Sequence, residues 1–529
     1  MEEENKTIAD SISVGYRSLL TVVVMVGSFM AILDTTVVDV VVPKMMGPLA
    51  TDLYGIQWVI TAYMTAAAVA LLLTHSLGSV LGLKRLFLIG LGVFTVASVL
   101  CGVSTTLPQM IGARVIQGTG EAFIMASAQT ILFLIYPPEK RGLAMGIYAM
   151  GVSFAPSLGP TIGGWVTEHL DWRWVFYINL PIGVLNLIAG GFFLPKLSGH
   201  KARLEFNFLS YLLLGGFTVS LLILLSRGQQ LGWGQSTLIG VLSYCSAILL
   251  LLYLLCEIIS KKPLIDVRIF RDKIYSLSMG FYFFVLGLSI YQVFFLLPLY
   301  YENLKHLSTF DTGLHMLVFA VFIAICSPLA GILSDRFGAQ KILLIGTITY
   351  LITSFFLLPS LNYYTPSVRA ALLTIPLGIS LGSFFAPLSA LALKNLGIYT
   401  ALGVSLMHYL RFIGGSFGTA IATNSLTKSA SLHYEGISVM QNVAHLHQQL
   451  PQLADKLGGD PTTASIKARL MLGKVQQLQA TSHAFQDTFR HGFLFAAIGS
   501  TFLLAIFVVL HYQKKAAEQT RLVTPTREK

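Results

Sequence analysis

Residues 33–43 read LDTTVVDVVVP, two aspartates in a run that is otherwise apolar, threonine and a closing proline. An ionised carboxylate in such a setting costs on the order of several kcal/mol unless it is paired or hydrated. The fold follows from what surrounds Asp34 and Asp39.

The rest of the chain supplies that setting. Of its 529 residues, 54% are hydrophobic and only 11% charged, and mean hydropathy is +0.72. A soluble domain carries about 25% charged residues. This chain cannot cover a soluble surface, and its length suits many membrane spans. The polar start MEEENKTIADSISVGYR and the long first apolar run predict a retained span, not a cleaved signal. Cys101, Cys245, Cys256 and Cys326 are isolated in apolar segments and read as packing residues.

A crossing helix needs about 20 apolar residues. Candidates fall near 18–42, 56–77, 85–103, 108–136, 142–165, 174–195, 207–226, 236–257, 274–300, 310–334, 341–359, 367–393, 398–424 and 490–511. An even number puts both termini on one side. With that side inside, the inside segments hold 22 Lys and Arg, and the six short outside loops and their edges hold only Lys44, Arg173, Arg227, Lys305 and Arg369. Both termini are therefore expected in the cytoplasm. Most of the net charge of +11 is a topology signal, which removes the nucleic-acid role that a basic chain suggests.

The spacing predicts a cytoplasmic N-terminus (1–17), a six-helix bundle (18–196) and two inserted helices (197–257). A basic cytoplasmic linker (258–273), a second six-helix bundle (274–511) and a cytoplasmic tail (512–529) follow. Two six-span halves around a central site are what a rocking transporter needs. Residues 425–489 are polar and Gln-rich, and are expected to form an outer subdomain of short amphipathic helices.

Several motifs, in order, carry a family resemblance: LDTTVVDVVVP (33–43), RVIQGTGEA (114–122), APSLGPTIGGW (155–165), DWRWVFYINLPIG (171–183) and GILSDRFGAQK (331–341). The chain resembles a fourteen-span drug:proton antiporter of the major facilitator superfamily, and is most similar to EmrB-type multidrug exporters. The resemblance implies an all-α membrane fold of two six-helix halves plus two inserted helices. It implies proton-driven export of hydrophobic or amphipathic molecules across a bacterial cytoplasmic membrane. It also implies a membrane-fusion adaptor and an outer-membrane channel, engaged through 425–489. An exporter dedicated to one natural compound, such as a siderophore, fatty acid or toxin, shares every motif. A non-transporting sensor or scaffold on the same fold is the next alternative, and a proton-coupled importer, against which the GP motif (155–165) weighs, is the third.

Site residues follow from the residues and the resemblance together. Gly151, Ala155, Gly159 and Gly163 recur every four residues, a small-residue stripe that permits close helix approach. Pro160 removes a backbone donor within it. In the family this segment faces the other half and is associated with export. Asp335 is expected near the start of the helix that follows it, where the dipole favours a carboxylate. Gly331 and Arg336 belong to the same gating motif. The first-half counterpart, HSLGSVLGLKR (75–85), has lost the Asp-Arg pair. Trp172 and Trp174 flank Arg173 as an interfacial anchor.

Few groups inside the spans can titrate. Asp34 and Asp39 are five apart, about 140° around a helix, and cannot point at one spot. Arg114 and Glu121 are seven apart and share a face with Gln117, and His408 and Arg411 share another. The resemblance ties Asp34 to proton coupling and gives Arg114 the part of tuning that proton. Position 39 is usually asparagine in the family, so Asp39 is a departure. Asp39 and Glu121 are further candidates for the proton, and fixed ion pairs with Arg114 or Arg411 are the alternative. Gln117, His408, Arg411 and Glu302 are candidates for the substrate cavity. A Walker lysine loop is missing from the sequence, and its two GxSxG matches, at 378–382 and 414–418, lie inside apolar candidate spans and not at a strand-to-helix turn, so no enzyme chemistry and no cofactor beyond the proton gradient is expected. No metal site is expected either; the weak candidate HLHQQ (445–449) lies in the Gln-rich segment.

Overall fold

A computed structural model describes residues 12–196, 207–441 and 461–523. HLHQQ falls outside these, as does the centre of the 425–489 segment. The described chain is helical throughout. The first bundle comprises α1 (Val14–Met45), α2 (Tyr54–Leu81), α3 (Leu83–Val103), α4 (Leu107–Ile135), α5 (Pro138–His169) and α6 (Trp174–Phe193). The inserted pair is α7 (Phe208–Leu231) and α8 (Thr237–Ile259). The second bundle comprises α9 (Lys273–Leu304), α10 (Thr309–Phe337), α11 (Ala339–Ser360), α12 (Ser367–Leu393), α13 (Thr400–Gln441) and α14 (Pro461–Val523).

Local chemistry sets the helix limits. Side chains of Ser13, Asn207, Asp272 and Ser308 accept backbone N–H bonds and start α1, α7, α9 and α10. Gly82 at φ 83° and Gly338 at φ 96° turn the chain between α2 and α3 and between α10 and α11. A side chain at either position would strain that left-handed backbone.

Thirteen of the described helices are long and apolar enough to cross a membrane. The remaining long helix, α13, packs along α9, α2, α4 and α14 at the same depth, giving a fold of thirteen to fourteen spans. Its Gly- and Ser-rich stretch serves close packing, as where Gly414 meets Gly287 backbone to backbone.

Cross-links identify the two faces of the bundle. Arg17 Nε donates to Ile135 O at 3.0 Å and Lys84 Nζ to Gly191 O at 2.8 Å. These bonds gather the start of α1, the end of α4, the start of α3 and the end of α6 on one face, called here the terminal face. On the opposite face Arg227 donates to Tyr54 O at 2.7 Å and Arg173 to Ser104 O at 3.4 Å.

The two bundles meet most extensively along α5 and α10, which run antiparallel. Gly142 lies against Gly331, Gly146 against Ser327, Thr161 against Gly313 and Gly164 against Phe310. A Cβ on Gly331 would strike the Gly142 carbonyl. The seam needs glycine because the two backbones touch.

Two sequence expectations change here. The stripe of Gly151, Gly159 and Gly163 packs on α1, against Met25, Thr36 and Val40; Gly142, Gly146 and Gly164, on another side of α5, meet the opposite half. The described parts of 425–489 continue α13 and α14 and are not separate short helices. At about 1.5 Å per residue, 42 and 63 residues span about 63 and 95 Å, well beyond about 30 Å of hydrocarbon. Gln476 Nε2 donates to Tyr434 O at 3.1 Å, and His433 Nε2 lies 2.7 Å from Asp487 Oδ2, joining the extensions as a hairpin.

Candidate functional site

Asp34 sits mid-helix on α1 and is 2% exposed. Arg114, on α4, donates to its Oδ2 at 2.6 Å. Gln117 Nε2 donates to Oδ1 at 2.9 Å, and Asn179 Nδ2, from α6, donates to the same oxygen at 2.6 Å. Arg114 also donates to Val59 O on α2 at 3.2 Å and to Gln117 Oε1 at 2.7 Å. Its guanidinium lies 3.9 Å from the Tyr63 ring centroid. Ser98 on α3 accepts from Gln117 at 2.8 Å. One carboxylate thus ties five helices of the first bundle together. Satisfied on both oxygens, it meets the condition under which a buried ion pair is tolerated.

The structure separates the other candidates. Gln117, expected to line the substrate cavity, is fully buried inside the Asp34 network. Asp39 makes no hydrogen bond in that network, although the charges of Arg114 and Asp34 act on it. Thr35, Asp39 and Pro43, four residues apart, form a strip whose exposure increases toward Lys44. Glu302 lies in the last turn of α9, against Thr309 at the start of α10, a helix-end position.

A second cluster occupies the space between the halves. Glu121 on α4 is 2% exposed, and its Oε2 has no hydrogen-bond partner. Arg411 on α13, in the other half, is the counter-charge that acts on it most strongly, yet the two do not form an ion pair. Tyr148, Tyr282 and Tyr291 are the other titratable neighbours of Arg411. His408 is fully buried, with its Nε2 3.4 Å from the Tyr148 hydroxyl. Phe385 on α12 joins them, 5.7 Å from Tyr148 and 6.3 Å from Tyr282 between ring centroids.

A third arrangement lies at the terminal face. Asp335 accepts from the backbone N–H of Gly142 at 2.8 Å and of Leu143 at 2.9 Å. The helix start it serves is therefore that of α5 in the other half, not that of α11, which follows it in sequence. A carboxylate there meets the orphan donors and the positive end of the helix dipole. Arg336 is exposed beside Phe337. The first-half position matching Asp335 is Ser79, which bonds its own helix at Ser76 O. Nearby, Thr74 Oγ1 and Ser405 Oγ join α2 to α13 at 2.6 Å.

Three side chains of the Asp34 network escaped the sequence reading: Asn179, Ser98 and Tyr63, whose ring lies under the Arg114 guanidinium. Asn179 lies within WRWVFYINLPIG, where the aromatics drew the interpretation of an interfacial anchor. An amide inside an apolar span was the available signal. Ser98 carries none, since serine is common in spans.

The family model of the Major Facilitator Superfamily matches residues 24–419. The multidrug export protein EmrB of Escherichia coli is 28% identical over 503 residues, covering 93% of each chain. The fatty acid resistance protein FarB of Neisseria gonorrhoeae is 29% identical over 435 residues, 80% of this chain and 85% of that one. In three dimensions the proton:xylose symporter XylE superimposes with a TM-score of 0.57 at 13% identity, over 94% of this chain and 96% of that structure, a likeness of fold. With polar clusters held inside and between two six-helix bundles, the chain belongs to the Major Facilitator Superfamily and is a multi-pass secondary transporter, not an enzyme.

Proposed function

We propose that this transporter is a proton-coupled exporter of hydrophobic or amphipathic small molecules, working by alternating access with its terminal face in the cytoplasm of a bacterial inner membrane. The Asp34–Arg114 pair carries the reading. Protonating Asp34 removes the charge that balances a guanidinium buried among five helices. An unbalanced buried charge of that kind costs about 3–5 kcal/mol, enough to favour a rearrangement in which Arg114 finds other partners. One proton thereby biases the packing of the whole first bundle. Asp39 and Glu121 are the competing proton carriers. Asp335, Gly331, Gly159, Pro160 and Gly163 serve the movement of the helices.

The similarity to EmrB supports a broad substrate range. The similarity to FarB, at comparable identity over a shorter span, supports a second reading in which one class of natural compound is exported. A resistance panel separates them: protection against unrelated compounds on overexpression favours the first. The extended α13–α14 hairpin is the surface proposed to meet a membrane-fusion adaptor and, through it, an outer-membrane channel. Adaptor capture that survives deletion of 430–485 would remove that proposal.

The test of coupling is proton exchange by purified protein in detergent when a lipophilic ligand is added. It compares wild type with Asp34→Asn, Asp39→Asn and Glu121→Gln. Loss of the exchange in Asp34→Asn with ligand binding intact supports the reading. Exchange unchanged in all three makes these charges structural.

A further inference from the structure

The chamber between the halves holds more hydrogen-bond donors than acceptors. Among the described residues Arg411 makes no ion pair and no hydrogen bond, and its Nε is buried without a partner. The hydroxyls of its neighbours Tyr282 and Tyr291 likewise make no hydrogen bond. Against these stand two groups able to accept, Glu121 Oε2 and the ring nitrogen His408 Nδ1, both buried without a partner. Glu121 is sealed at 2% exposure, whereas Arg411 keeps partial exposure. A guanidinium left without acceptors in a desolvated chamber is unfavourable, and a planar pair of oxygens completes its fork. Beside it Phe385 is tilted against Tyr148 and edge-on to Tyr282, a buried aromatic cluster that offers apolar packing to a hydrocarbon body when the halves part.

We infer that Arg411 anchors the acid group of a lipophilic anion, with Tyr282 and Tyr291 donating to the same oxygens and Phe385 and Tyr148 covering the apolar body. The inference rests on the transport reading above and names the charge of the substrate. It places the anion's anchor in the second half and the Asp34 proton site in the first. Glu121 then opposes binding, because its carboxylate and the substrate's share one cation.

The experiment is calorimetric titration of the purified full chain in a non-ionic detergent with three probes of equal chain length: decanoate, methyl decanoate and decyltrimethylammonium. Decanoate is expected to bind most tightly. Arg411→Gln weakens decanoate by at least about tenfold and leaves methyl decanoate unchanged. Arg411→Lys restores part of the loss, and Glu121→Gln tightens decanoate. The double variant Tyr282→Phe, Tyr291→Phe keeps both rings and weakens decanoate, which tests the site even if Arg411→Gln fails to fold. Decyltrimethylammonium binding more tightly than decanoate overturns the inference, as does decanoate affinity indifferent to both sets of variants. Proton-coupled vesicle flux of decyltrimethylammonium with no decanoate binding sinks the anchor and leaves the exporter reading standing. Decanoate binding lost in Arg411→Gln, with no flux of any probe, supports the anchor and sinks the exporter reading.

Discussion

Asp34 and Asp39 stand five residues apart on one helix, and they differ in hydrogen bonding and exposure. The sequence established that they diverge by about 140°; it could not establish which faced the partners, because those come from α4 and α6. Asp34 receives three side-chain donors, and Asp39 is exposed. Stability should follow that division. Asp34→Asn leaves Arg114 without its balancing charge and is expected to cost about 3–5 kcal/mol, a clear drop in the melting temperature of the detergent-solubilised protein. Asn179→Ala removes one bond to a charged acceptor and should cost about 1.5–3 kcal/mol. Asp39→Asn should melt as wild type does. A melting curve for Asp34→Asn that overlays the wild type would show that the pair does not hold the bundle. The Arg114–Gln117–Glu121 face was legible from spacing alone, yet the structure divides it between two clusters. Spacing along one helix orders a face but cannot say which neighbour each part of it meets.

Between helices, the decisive contacts are those of α5. The four-residue glycine stripe announced close packing correctly and its partner incorrectly, since α1 takes that stripe and α10 takes another. Periodicity identifies a packing surface; the identity of the partner is set by how the bundles are arranged in three dimensions. The Asp335 motif shows the same limit, because the helix start it serves lies 193 residues away in sequence. This latch should stabilise the state in which the terminal face is closed. Asp335→Ala forfeits a helix cap worth about 0.5–2 kcal/mol and should shift the population toward an open terminal face by roughly twofold to thirtyfold. Spin labels on the terminal ends of α5 and α10 would report it as growth of the longer-distance peak. Gly331→Val goes further, since its side chain would meet the Gly142 carbonyl. It should hold the ends apart and stop turnover while ligand still binds. An unchanged distance distribution in Gly331→Val would refute the direct-contact seam. The long α13–α14 hairpin was not legible because its polar sequence suits a helix on a helix outside a membrane as well as it suits short separate helices.

Across the whole molecule the two bundles repeat each other. Gly82 and Gly338, both at positive φ, turn equivalent helix pairs, and this much the sequence displayed. The repeat is broken at the latch, where Asp335 joins α10 to α5 but Ser79 turns back on its own helix. The first-half side of the terminal face is instead joined by the hydroxyls of Thr74 and Ser405 at 2.6 Å. The closure is therefore asymmetric, one charged cap and one neutral bond, and the neutral bond is the weaker of the two. If the transporter alternates by rocking, both must part in every cycle. Cysteines at 74 and 405, in a chain whose four native cysteines are replaced, would bring two sulfurs to positions now occupied by oxygens in contact, within reach of a disulfide. Oxidation should then fix the terminal face closed and abolish vesicle flux, and reductant should restore it. Each single-cysteine variant should be insensitive to oxidant. Full flux through the oxidised double variant, with the cross-link verified by mass spectrometry, would mean that α2 and α13 never separate at this end and that the halves move about some other contact.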